Sequence, residues 1–249
     1  MSWVRDMTLF KALLIVYCLN VVAWGGMIFL LLCNAAPAMC QPTCADINSP
    51  RRKWIEINSQ ILNALFCLPA FGLAPRRSRG AWQLVRYALE GSSEPLRRLA
   101  ATYRTWFRLP GSQTLPVDVG PAQVEPWLSQ SSSLKDIVPY PARCIPEAPP
   151  SGRRAMPTPL WKLGTVVGLN FMNTLFQAIL SGFMWCYNRH TRPPWSVGLF
   201  LCLAFASSTA AGVLGFIEVR RVKKVEGNTR WMAVGAEAEE QELRCQNRL

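Results

Sequence analysis

The chain has 249 residues, of which 50% are apolar and 17% are charged, with 27 Lys and Arg against 15 Asp and Glu. Charged residues are absent from four long blocks, 12–33, 57–75, 163–188 and 193–217. This distribution argues against a soluble enzyme, a disordered chain and a disulfide-stapled miniprotein, because polar loops alternate with apolar stretches long enough to span a bilayer. The sequence therefore predicts an all-α membrane protein with about four transmembrane helices in two pairs.

The first block, residues 12–33, is long enough as a helix to cross a hydrocarbon core of ~30 Å. An Ala-Pro-Ala sequence at 36–38 is also compatible with a secretory signal peptide, but the apolar run exceeds the ~7–15 residues of a usual signal core. We therefore favour a retained span. The loop after it contains Cys33, Cys40 and Cys44, and the sequence leaves open whether they form a disulfide or stay free thiols.

The second block, residues 57–75, completes an N-terminal membrane pair within residues 1–75. It carries several polar side chains and Pro69, which would kink a helix. The block either spans with a kink or enters and leaves on the same side, shielded by other helices. We favour a span, because a basic cluster follows it directly from Arg76.

Residues 76–109 form a basic amphipathic region, in which Ser93 is a predicted N-cap and Pro95 fits a first helical turn. Apolar side chains recur at helical spacing, at Leu96, Leu99, Tyr103, Trp106 and Phe107. Three interpretations remain open: a helix lying in the headgroup region, a helix packed on the bundle or on a soluble neighbour, and a calmodulin-type peptide target.

We favour the surface helix, over Pro95–Arg108, with Leu99, Tyr103, Trp106 and Phe107 entering the membrane. Arginines here and a second basic cluster after residue 217 are typical of segments that contact anionic headgroups. The predicted headgroup contacts are Arg76, Arg77, Arg97, Arg98, Arg104, Arg108, Arg220, Arg221, Lys223 and Lys224.

Residues 110–160 are predicted to be a linker that is extended or disordered, since 11 of the 19 prolines lie between 110 and 159. Short apolar pieces such as 136–140 could still dock on something.

The last two blocks predict a helical hairpin over residues 161–218. Its short polar link is flanked by Trp185 and Trp195, as expected for the aromatic belt around a turn at the membrane interface. Residues 219–249 are predicted to be a basic and then acidic cytosolic tail, with a short solvated helix after Gly227.

Two segments resemble a eukaryotic, notably fungal, family of multi-pass membrane proteins, the domain of unknown function 2985 family. The first reads PRRKWIEINSQILNALFC at 50–67 and continues with FGLAP at 71–75. The second reads MWCYNR at 184–189 with RPPW at 192–195, and VKKVEG at 222–227 is similar to the same family. The resemblance implies a multi-pass membrane protein and carries no activity, substrate or catalytic residue.

The sequence contains little that points to chemistry. His190 is the one histidine, no hydrolase or nucleotide-binding motif occurs, and Cys40 and Cys44 lack further ligands for zinc. The basic residues lie beside spans, which favours lipid over nucleic acid. We therefore expect no enzymatic activity, no cofactor, no metal and no nucleic-acid partner.

Polar side chains form stripes along two of the blocks, at Ser59 and Asn63 with Cys67 in the second and at Asn170, Asn173, Gln177 and Ser181 in the third. Amides in hydrocarbon need partners, so these stripes either bond between helices or line a cavity for a solute or a lipid headgroup. We favour interhelical bonding, with the second helix packed on the third.

Basic residues near the predicted spans number fifteen on the side that would hold both termini and five on the other. This asymmetry predicts cytosolic termini; the rival is three spans with a re-entrant second block. We expect a scaffold or assembly component of the plasma membrane or an endomembrane. Its expected partners are anionic lipids and other membrane proteins or a second copy. The alternative is a small transporter or channel subunit with the stripes lining a path.

Overall fold

The computed structural model describes residues 2–130 and 132–227. Within these residues the chain is helical and contains no strand, which confirms the all-α prediction. The helices are α1 (Ser2–Leu32), α2 (Pro50–Gly72), α3 (Ala74–Glu90), α4 (Ser93–Thr102), α5 (Val124–Gln130), α6 (Leu160–Cys186) and α7 (Pro194–Glu226).

Three helical segments are long and apolar enough to cross a membrane: Lys11–Leu32, Leu160–Cys186 and Pro194–Glu226, with mean hydropathies of 2.2, 1.4 and 2.0. A fourth candidate is the pair α2 and α3, which is bent by 48° at a short break. Among the described residues, three helices could therefore span a membrane, or four if the bent pair counts as one span. The predicted second span, 57–75, differs in its bounds because α2 begins at Pro50 and ends at Gly72.

The contacts fall into two compact units. One unit comprises the chain up to Ala74 together with Asn173–Ala204, and the other comprises Pro75–Met172 and the chain from Phe205 onward. Helices α6 and α7 each contribute to both units, so the two units are described in turn.

In the first unit, α1 and α2 pack as an antiparallel pair. The Tyr17 hydroxyl donates to the Leu65 carbonyl at 3.2 Å, and Arg51 donates from Nε to the Leu31 carbonyl at 2.8 Å. The last carbonyls of a helix lack partners within the helix, so the guanidinium of Arg51 satisfies the end of α1. A disulfide joins Cys40 to Cys44 in the connecting loop, and Cys33 is a free, exposed thiol.

The predicted C-terminal hairpin is present. Asn173 Nδ2 on α6 donates to the Ala204 carbonyl on α7 at 2.8 Å, and the rings of Phe183 and Phe200 stack at 5.7 Å. Trp185 and Trp195 are exposed on either side of the link, as the sequence predicts.

The predicted end of the last helix near residue 218 is wrong, because α7 continues to Glu226. Lys223 and Lys224 lie in its last turn. Basic side chains are favourable there because they offset the partial negative charge of the helix C-terminus. The predicted short helix after Gly227 lies outside the described residues.

The second unit has a core that contradicts the surface-helix prediction for Pro95–Arg108. α4 ends at Thr102 and its N-cap is Ser92 rather than Ser93. Leu99, Trp106 and Phe107 are at most 5% exposed and pack against α6, at residues that include Leu163, Val166 and Val167. The apolar periodicity is satisfied by a protein partner, so the alternative of a helix packed on the bundle describes this segment.

The described part of the Pro-rich region is packed, which contradicts the disordered alternative of the prediction. Five apolar side chains form a second core in the same unit: Leu115, Val119, Val124, Val138 and Ile145. Proline limits α-helix here to α5, which carries Pro126 in its first turn, but it does not prevent irregular chain from packing. The predicted docking of residues 136–140 is confirmed, since Arg97 Nε donates to the Val138 carbonyl at 2.7 Å and the Tyr140 N–H donates to the Arg97 carbonyl at 3.2 Å.

Candidate functional site

A buried polar interface joins α2 to α6 in the first unit. Gln177 Nε2 donates to Asn63 Oδ1 at 3.2 Å and contacts Cys67 Sγ at 3.6 Å, and Cys67 Sγ lies 2.9 Å from Ser181 Oγ. All four side chains are at most 6% exposed. We call these four residues the polar interface. It confirms the predicted packing of the second helix on the third through Asn63 and Gln177.

The other stripe residues have different surroundings. Asn173 bonds to α7, as described above, and Asn170 donates to the Val166 carbonyl of its own helix at 2.9 Å. Ser59 is half-buried and lies outside the polar interface. Ser181 also donates to the Gln177 carbonyl at 2.8 Å. The i, i+4 spacing of Asn63 with Cys67 and of Gln177 with Ser181 aligns each pair on one helix face, which is why these positions meet.

Asn58 is a buried polar residue that the stripe pattern missed. Its side chain is 0% exposed, and neither Nδ2 nor Oδ1 has a hydrogen-bond partner among the described residues. It lies two helical turns from Arg51, on the face of α2 toward α1. Two contacts fix the register of the antiparallel helices: Arg51 with Leu31 and Leu65 with Tyr17. Asn58 is seven residues from both α2 positions, and Trp24 is seven residues from both α1 positions. The register therefore places Asn58 level with Trp24.

A charged network lies near the start of α2. Glu56 accepts two bonds from the Arg192 guanidinium, at 2.7 and 3.0 Å. Gln60 Nε2 donates to Glu56 Oε1 at 2.9 Å and to the Met184 carbonyl at 2.8 Å. The carboxylate is therefore paired with a guanidinium, which makes it a structural contact between α2 and the hairpin link rather than a free base.

His190 lines an open depression of ≈ 460 Å³ beside this network, together with Glu56, Gln60 and Arg189. Arg189 also donates to Asn48 Oδ1 at 3.2 Å. Across the described residues, no group of three or more His, Cys, Asp or Glu side chains could hold a metal ion. The depression brings together charges of both signs, and its carboxylate is already paired.

In the second unit, charged side chains fasten the middle region to the end of α7. Arg108 forms a bidentate pair with Glu226, at 2.8 and 2.6 Å, with the two side chains 8% and 13% exposed. The Ala155 N–H donates to the same carboxylate at 3.1 Å. Glu218, 2% exposed, pairs with Lys162 and also with Arg221 at 3.1 Å.

These contacts correct part of the predicted set of headgroup contacts. Arg108 is buried in its ion pair with Glu226. Arg97 is half-buried on the Val138 carbonyl, and Arg98 pairs with Glu94 at 2.7 Å. Arg220 and Lys224 are exposed; Arg76, Arg77, Arg104, Arg221 and Lys223 are half-buried. Partners that are distant in the sequence, Glu226 for Arg108 and Val138 for Arg97, cover arginines that no local pattern marks as covered.

The family described as "Protein of unknown function (DUF2985)" matches residues 2–87. This match confirms the resemblance over the segment that contains α1, α2 and most of α3, and the two C-terminal segments quoted above lie outside it. No curated protein and no solved structure matches the chain.

Proposed function

We propose that this protein is a multi-pass membrane protein without enzymatic activity that acts as a scaffold or assembly component and contacts anionic lipid. The observation that carries the proposal is the polar interface. Asn63, Cys67, Gln177 and Ser181 bond to one another between α2 and α6, as side chains that hold a bundle together do. Asn63 Oδ1, Gln177 Nε2, Cys67 Sγ and Ser181 Oγ are thus used in packing.

The surface of α1 supports the same proposal. Leu19, Val22 and Phe29 are 62%, 71% and 64% exposed, and none of the most apolar window of α1 is buried. A helix with many exposed apolar side chains leaves a large area for lipid or for another membrane helix. An assembly component needs such a surface.

A second function, a small transporter or channel subunit, is favoured by one observation. Asn58 and the Nδ2 atom of Asn63 are buried without hydrogen-bond partners among the described residues. Unpaired amides inside a bundle are costly, and a passing solute or water would satisfy them. This candidate remains second because the unpaired groups lie beside a bonded interface.

Reconstitution separates the two functions. The purified full chain is incorporated into phosphatidylcholine–phosphatidylserine vesicles, and release of potassium, chloride and glycerol is measured against protein-free vesicles. A scaffold gives no release above the protein-free leak. The Gln177→Leu variant serves as the matched test, since it should lower thermal stability and leave release unchanged. If Gln177→Leu changes solute release by a larger factor than it changes thermal stability, the transporter becomes the better-supported function.

The proposed topology places both termini in the cytosol. It is supported by the basic residues that flank the spans. A reporter fused before Met1 should read cytosolic, and one inserted in the link after Tyr187 should read lumenal. A lumenal reading at the N-terminus would favour three spans with a re-entrant second block.

A further inference from the structure

The strongest unassigned surface of the second unit is one face of α3. Trp82, Val85 and Leu89 are 62%, 46% and 81% exposed. At ~100° per residue these three side chains fall within a sector of about 60° on the helix. An exposed apolar line that includes tryptophan indicates a surface that contacts another molecule, because the solvent-facing side of a helix usually carries polar side chains.

The opposite face of α3 is packed into the protein. Ala81, Leu84 and Tyr87 pack against the core cluster that contains Leu163 and Val167. A Cβ on Gly80 would lie 3.8 Å from Val167 Cγ1, so the helix backbone closely approaches α6. These α6 residues belong to the first two turns of a candidate span that begins at Leu160. The contacts therefore hold α3 at the level where that span would enter the membrane.

Arginines flank the apolar line. Arg79, which is exposed, and Arg86, which pairs with Glu90 at 2.8 Å, lie on one side, about 60–100° from the centre of the line. Arg77 lies at a similar angle on the other side. An apolar centre with cationic flanks is the arrangement of a helix that lies in the plane of an anionic leaflet.

We propose that α3 is an interfacial helix that inserts Trp82, Val85 and Leu89 into the headgroup–acyl boundary of an anionic leaflet while Arg79 and Arg86 meet lipid phosphates. The surface-helix role predicted for Pro95–Arg108 thus belongs to the preceding helix, α3. Residues of α4 lie in the core cluster against which the other face of α3 packs. The inference rests on the membrane location proposed above.

The test uses photocrosslinking in the full chain. Benzoylphenylalanine replaces Trp82 or Leu89, and the protein is reconstituted in phosphatidylcholine vesicles with and without phosphatidylserine. Met156, 66% exposed in a loop of the same unit, is the matched surface control, and Leu175, 41% exposed on α6, is the control for membrane insertion. Mass spectrometry of the adducts identifies the lipid and the carbon that reacted.

We expect lipid adducts at positions 82 and 89 several-fold above those at 156, near the glycerol end of the acyl chains and enriched in phosphatidylserine. One arginine near an anionic surface changes lipid preference by about five-fold, so Arg79→Gln should lower the enrichment by up to that factor. High salt should reduce the enrichment as well.

The outcomes separate the possible failures. Adducts at 175 but none at 82 and 89 would overturn the interfacial helix and leave the membrane location intact. Adducts at the terminal methyl end would show that α3 continues a broken span. Adducts to a second copy of the chain would make the face a protein contact. Absence of adducts at 175 as well would instead count against the proposed function.

Discussion

Replacing Arg108 by methionine should destabilise the protein more than any surface change, because it leaves the carboxylate of Glu226 buried without its guanidinium partner. The two side chains are 8% and 13% exposed and form two hydrogen bonds. Loss of one member of a buried ion pair costs about 3–5 kcal/mol. At ~2–4 °C per kcal/mol for a chain of this size, the apparent melting temperature of the full chain in detergent should fall by roughly 10 °C.

Two controls isolate the buried charge as the cause. Arg143 pairs with Glu125 in the same unit at 2.7 Å, but those side chains are 62% and 54% exposed, so Arg143→Met should leave the melting temperature unchanged within error. Adding Glu226→Gln to Arg108→Met should recover part of the loss, since it removes the unpaired charge. Equal losses of melting temperature for Arg108→Met and Arg143→Met would contradict a stabilising role for the buried Arg108–Glu226 ion pair.

The sequence was sufficient to predict the helices that could cross a membrane, because absence of charge over some twenty residues is a direct requirement of the bilayer. It also predicted the contact between Asn63 and Gln177, because residues at i, i+4 spacing share a face and buried amides seek each other. Both predictions depend on short-range periodicity, which is visible without a structure.

The predictions failed where they required knowing which surface covers an apolar or charged helix face. The amphipathic spacing around Leu99 and Phe107 correctly indicated an apolar face. It does not show whether lipid or a helix distant in the sequence, here α6 with Leu163, covers that face. Arg108 and Glu226 are 118 positions apart, so no local pattern could join them. Asn58 was missed for a related reason, since it lies off the i, i+4 series that Asn63 and Cys67 define.

Asn58→Leu should stabilise the protein, whereas the same substitution at Asn63 should destabilise it. Asn58 is 0% exposed and both of its polar amide atoms lack partners among the described residues. Burial of an unsatisfied polar group costs about 1–3 kcal/mol, and leucine has a similar volume without that cost. Asn63, by contrast, leaves only Nδ2 unpaired among the described residues and accepts a bond from Gln177 that leucine cannot accept.

The pair is a matched comparison, because the change is chemically identical and both positions lie on α2. Interhelical bonds in membranes contribute ~0.6 kcal/mol on average, so Asn63→Leu should lower the free energy of unfolding modestly, while Asn58→Leu should raise it by a comparable or larger amount. Unfolding of the full chain in mixed micelles, followed by circular dichroism as dodecyl sulfate increases, measures both. A loss of stability at Asn58 equal to that at Asn63 would mean that the Asn58 amide is satisfied in the folded protein. If Asn58→Leu then also altered solute release from vesicles, the polar groups of α2 would serve transport, and the scaffold proposal would give way to its alternative.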